Sequence, residues 1–100
     1  MKKVTAIVRP ARLEALRGTL RRLPGFPGMT VTSCGGITAP DRLGDAADPL
    51  TDFTPKVRVE VVAEDDVALL VVDAIRKFAA TGQIGDGIVW LVPVEAAWRI

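Results

Sequence analysis

Thr81-Gly82-Gln83-Ile84-Gly85-Asp86-Gly87, followed at once by Ile88-Val89-Trp90-Leu91-Val92-Pro93, is the stretch on which the reading of this chain turns. Three glycines in six positions join a helical pattern to an apolar strand. Glycine permits positive φ and lets a ligand approach the main chain closely. Such a loop can aim several N–H groups at one anion. It can equally be a tight helix-to-strand turn with a glycine C-cap at Gly82, and spacing alone does not choose. The strand carries a second message. Residues 88–92 are apolar on both sides of the pleat, and a strand buried on both faces needs two covers.

The rest of the chain supplies one cover. Lys3-Val4-Thr5-Ala6-Ile7-Val8 is rich in β-branched residues and reads as a first strand. Arg9-Pro10 ends it, and proline suits the first turn of a helix. Leu13, Leu16, Leu20 and Leu23 recur at helical spacing. Arg12, Arg17, Arg21 and Arg22 take the other face, which reads as solvated. Pro24-Gly25-Phe26-Pro27-Gly28 stops that helix, and Met29-Thr30-Val31-Thr32-Ser33-Cys34 is a second strand. Lys56-Val57-Arg58-Val59-Glu60-Val61-Val62 alternates as a strand with one buried face should. Glu64-Asp65-Asp66 offers an N-cap and acids for the positive end of a second helix. Its inner side reads as Val67, Leu70, Val71, Ala74, Ile75 and Phe78, and Gly82 is expected to close it. The order β-α-β-loop-β-α-β predicts an α+β fold. It is a ferredoxin-like βαββαβ sandwich, an antiparallel sheet with two helices on one face. The second cover for residues 88–92 then comes most cheaply from another copy of the chain, so an oligomer with sheets facing inward is expected.

Between Gly35 and Pro55 no period survives. A structureless segment this long is uncommon in a compact domain and is usually functional or disordered. It is expected to be mobile without a partner. Ile37, Leu43 and Leu50 are its candidate partner contacts, and Phe53 is expected to anchor its base. Asp41, Asp45 and Asp48 read as a solvated polar run rather than a hard-cation site, so no metal is expected.

One hundred residues imply a single domain, 1–100, small enough to gain from oligomerisation. Hydrophobic content of 49% and mean hydropathy of +0.29 exclude a disordered tail. A net charge of +1 gives no electrostatic case for nucleic acid. No apolar run approaches the ~20 residues that span a bilayer. The run at residues 4–8 is too short for a signal-peptide core, so a cytoplasmic protein is expected. The chain has no histidine, which removes Ser-His-Asp and Cys-His catalysis. Cys34 is its only cysteine and reads as a small buried strand residue. Trp90 and Trp98 read as core or interface anchors. No candidate nucleophile has a base beside it, and no enzyme is expected.

Several separated motifs, in order, resemble the P-II family of nitrogen regulatory proteins over nearly the whole chain. They are residues 1–8, Gly28-Met29-Thr30-Val31-Thr32, Phe53-x-Pro55-Lys56-Val57-Arg58-Val59-Glu60-Val61-Val62, Thr81-Gly82-x-Ile84-Gly85-Asp86-Gly87, and Pro93-Val94-Glu95 with Arg99. The turn at residues 23–28 looks more like a divergent branch, some of whose members are encoded beside metal-efflux genes. The resemblance implies a cytoplasmic homotrimer that binds ATP, ADP or AMP in clefts between subunits. It also implies signalling to a membrane transporter or an enzyme through a long T-loop, here about residues 35–54. Gly28, Met29, Thr30 and Val62 would line the base pocket, and Thr81, beside Gly82, would meet the base edge. Gly85, Asp86 and Gly87 would cradle phosphates, Arg99 would reach in as a cation, and Lys56 would support loop or effector contacts.

The departures matter as much. Ile88 stands where the family usually has a lysine. A second arginine usually follows the position of Arg99, and this sequence stops at Ile100. The T-loop is shorter and lacks the Gly-Arg-Gln-Lys-Gly run whose glutamine orients Mg-ATP and 2-oxoglutarate. Without tyrosine there is no nucleotidylation site. Weak binding of an adenine nucleotide or another anion is therefore expected. The alternative is a ligand-free trimeric scaffold of the same fold. An RNA-binding sheet would need exposed aromatics on its central strands, and residues 3–8 and 56–62 contain none. An acylphosphatase-like enzyme has only Arg9 and Arg12 in its favour.

Overall fold

β-Branched alternation builds the sheet, and the computed structural model describes residues 1–37 and 53–100. The elements are β1 (Lys2–Val8), a 3-10 turn (Pro10–Arg12), α1 (Leu13–Arg21), β2 (Thr30–Gly36), β3 (Thr54–Ala63), α2 (Asp65–Phe78) and β4 (Gly87–Pro93). The strands lie in the order β2-β3-β1-β4, and every neighbouring pair is antiparallel. This is the expected ferredoxin-like arrangement. Val4, Ala6 and Val8 of β1 and Val57, Val59, Val61 and Ala63 of β3 point to one face. Leu16 and Leu20 of α1 and Ala68, Val71, Ala74 and Ile75 of α2 close over them as one core. Leu16 and Leu20 are fully buried, so truncating either to alanine should cost about 2–5 kcal/mol.

Several local expectations are corrected. In α2, Ala68 is buried while Leu70 is largely exposed, so the apolar stripe is rotated from the predicted one. Glu64 occupies the N-cap position without a side-chain hydrogen bond. Asp65 instead accepts a 2.7 Å bond from the N-terminal ammonium. That ammonium holds the Asp65 carboxyl below its ordinary value. Helix α2 ends at Phe78 with Ala79 at the C-cap, so Gly82 belongs to the following loop and is not the helix cap. Arg12 is not simply solvated. Its Nε and Nη2 both donate to the Phe78 carbonyl, at 3.0 and 2.7 Å, and so hold the last turn of α2. Strands β2 and β3 run on past the expected loop boundaries, pairing Gly35 with Pro55 and Gly36 with Thr54.

Among the described residues no helix lies over the other face of the sheet. Alternation puts Lys3, Thr5 and Ile7 of β1, Arg58, Glu60 and Val62 of β3, and Ile88, Trp90 and Val92 of β4 there. Glu60 accepts a 2.8 Å hydrogen bond from Arg58 Nε and lies 3.7 Å from Lys3 Nζ. Ile88 is 62% exposed and Trp90 38%. The described residues thus cover the apolar alternation of β4 on one side only.

Candidate functional site

The register of β1 decides where the site residues go. Its Lys2 end pairs with Ala63 and Pro93, and its Val8 end pairs with Val57 and Gly87. At the Lys2 end lies a cleft of about 720 Å³. Gly28, Met29, Thr30, Val62 and Arg99 all line it, together with Glu60, Glu64, Val67 and Trp98. Gly28 has φ +118° there, and a Cβ on it would point into open space. Trp98 is 84% exposed. Within the subunit it forms part of the rim of this cleft and is not a core anchor.

The glycine loop lies at the other end. Asp86 organises it. One carboxylate oxygen accepts from the backbone N–H of Thr81 at 2.7 Å and of Gly82 at 2.9 Å. The other accepts from the Thr81 hydroxyl and from Arg9 Nε at 3.0 Å. The Thr81 hydroxyl and N–H, with Arg9 and Gly82 behind them, hold the Asp86 carboxyl far below the ordinary carboxylate range. Arg9 Nη2 also donates to the Ile84 carbonyl at 2.8 Å, and Lys56 Nζ donates to the Gly85 carbonyl. Lys56 is 7% exposed. Burial pushes its ammonium below the usual lysine value, Arg9 adds to this, and Asp86 opposes it. The N–H groups of Thr81 and Gly82 thus already face an anion, and that anion is the loop's own Asp86. Gly87 has φ +125°, and a Cβ on it would run into the carbonyl of Ile7. Ile88 follows on the uncovered face.

Each half of the predicted site is therefore assembled, but one subunit does not bring the halves together. Six residue steps of β1 separate them, about 20 Å at strand rise. Ile37 is exposed beyond β2, and Phe53 is exposed beside Gly35, so Phe53 does not anchor the loop base within the subunit. Leu43 and Leu50, with Asp41, Asp45 and Asp48, lie outside the described residues. Cys34, half-buried on β2, pairs with Lys56 in register. Among the described residues there is no cluster of three metal-ligating side chains, and no helix is long and apolar enough to cross a membrane.

Set against known proteins, the whole chain, residues 1–100, matches the family described as "Nitrogen regulatory protein P-II". The chain belongs to the P-II family. It is 39% identical to the nitrogen regulatory protein P-II of Bradyrhizobium diazoefficiens over 103 aligned positions, covering 100% of this chain and 91% of that protein. It is 42% identical, with the same coverage, to that of Rhizobium leguminosarum bv. viciae. It is 39% identical, again with that coverage, to nitrogen regulatory protein P-II 1 of Escherichia coli K12. P-II proteins are regulators rather than enzymes, which agrees with the reading from the residues.

The residue that sequence reasoning undervalued in this P-II chain is Arg9. Its spacing carries no motif, and in the sequence it speaks only for an acylphosphatase-like enzyme. The signal was topological. Once β1 and β4 are antiparallel with Val8 opposite Gly87, residue 9 must fall beside Asp86.

Proposed function

We propose that this protein is a signalling regulator that binds an adenine nucleotide, weakly, in a cleft shared between subunits of a homotrimer. Through the segment containing residues 38–52 it would regulate a transporter or enzyme. The observation that carries this reading is the split site. The base-pocket set and the glycine loop are both formed, yet they sit at opposite ends of β1, further apart than the two ends of one nucleotide. A neighbouring subunit is needed to bring a glycine loop to each cleft. The uncovered face bearing Ile88, Trp90 and Val92 is apolar surface over which subunits can pack.

Asp86 already fills part of the loop, and Ile88 supplies no charge beside it. The cleft should therefore favour ligands with fewer phosphates. Isothermal titration with ATP, ADP and AMP tests this. ADP or AMP should bind at least as well as ATP, and 2-oxoglutarate should change little. No heat from any of the three, and no thermal shift, would leave the ligand-free scaffold as the better reading.

A further inference from the structure

We propose that Arg9 is a positioning residue for anion binding: it turns the peptide between Ile84 and Gly85 so that the Gly85 N–H faces a ligand. This deepens the nucleotide reading and rests on it for the identity of the anion. Arg9 Nη2 draws the Ile84 carbonyl inward at 2.8 Å. In the next peptide, Lys56 Nζ draws in the Gly85 carbonyl. Among the described residues no peptide bond is cis. In a planar trans peptide the C=O and N–H point in opposite directions. Two carbonyls held toward Arg9 and Lys56 therefore direct the N–H groups of Gly85 and Asp86 away from those cations. Consecutive outward N–H groups form the concave donor pair that holds a phosphate oxygen.

Arg9 suits this role for geometric reasons. Its own backbone is fixed, with φ −68° and ψ 136° before Pro10 and its carbonyl accepting from Arg12 N–H at 3.0 Å. Its guanidinium spans two separate acceptors, the Ile84 carbonyl and the Asp86 carboxylate, which needs a rigid fork of donors. The carboxylate in turn grips Thr81 and Gly82. One side chain from the end of β1 thus sets the shape of the loop from its first residue to Asp86. A simple exposed ion pair would do much less.

Amide NMR on the full protein, titrated with ADP, separates positioning from charge. In the unmodified protein ADP should shift the Gly85 and Asp86 amides. Arg9→Gln should weaken ADP about tenfold or more, on the scale of one charge-assisted hydrogen bond. It should also speed hydrogen exchange at Thr81 and Gly82, while residues 4–8 and 57–61 keep their protection. Arg9→Lys restores the charge but not the fork, so the loop should stay loose and ADP weak. Full recovery with lysine would show that only charge matters and would overturn the proposal. So would unchanged Thr81 and Gly82 exchange in Arg9→Gln. An unmodified protein that ignores ADP would overturn the nucleotide reading instead, and the exchange data would still decide whether Arg9 shapes the loop.

Discussion

Gly28 and Gly87 both hold φ values that side-chain-bearing residues avoid, yet they should not respond alike to alanine. At Gly28 the new methyl meets nothing, so Gly28→Ala should cost only backbone strain, about 1–2 kcal/mol. At Gly87 the methyl meets the main chain of Ile7, which cannot move without breaking the β1–β4 pairing. Gly87→Ala should therefore lose more than Gly28→Ala, about 3 kcal/mol or beyond. Urea unfolding of the two variants ranks them, and equal losses would mean that β4 can shift at its first residue. Ile88, the next residue, bears on ligand rather than fold. Ile88→Lys places an ammonium beside the glycine loop and should raise ATP affinity about tenfold. Arg99→Ala, at the opposite cleft, should remove most of the binding that the unmodified protein has. Titration calorimetry compares all three, and tight ATP binding indifferent to Arg99 would put the phosphates elsewhere.

Between α2 and β4 the glycine loop behaves as an element with its own titration. The Asp86 carboxyl lies below its ordinary value because the charged form accepts the Thr81, Gly82 and Arg9 bonds. Such a group stabilises fully above the unfolded carboxylate value of about 4. That stability starts to fall below this pH and is gone only below the depressed folded value. Protection at the Thr81 and Gly82 amides should hold from neutral pH to about 4 and then decline, and Asp86→Asn should lose it even at neutral pH. Insensitivity to Asp86→Asn would refute the carboxylate's organising role. The elements themselves were legible because their periods were strong: four strands, and the Leu13, Leu16 and Leu20 spacing of α1. What the sequence hid was local. Leu70 and Ala68 fit either edge of an amphipathic stripe, and only packing under the sheet selects alanine. Gly82 looked like a cap because composition cannot tell a helix end from the loop three residues beyond it.

The described residues leave apolar surface on the sheet face away from the helices, and that asymmetry is the reason to expect assembly. Helices cover Val4, Val59 and Val61, while among the described residues no helix covers Ile88, Trp90 and Val92 on the same sheet, and all three stay partly exposed. Alternation in the sequence exposed this need for a second cover, and the P-II motifs named the site residues. Neither revealed that those residues sit at opposite ends of β1, since separation along a strand appears only once the register is known. Assembly and binding are therefore one claim. Light scattering at micromolar concentration should give the mass of three subunits. The thermal midpoint should rise with protein concentration, because association stabilises the folded chain by mass action. Trp90→Glu puts a charge in the middle of the uncovered face and should yield a smaller species whose midpoint no longer depends on concentration. Amide exchange in residues 4–8 and 57–61 would verify that its sheet still forms. That variant should also lose nucleotide binding, although Trp90 lines neither the cleft nor the glycine loop. A monomeric Trp90→Glu protein that binds ADP as tightly as the unmodified one would show that a single subunit holds the ligand, and the shared cleft would be wrong.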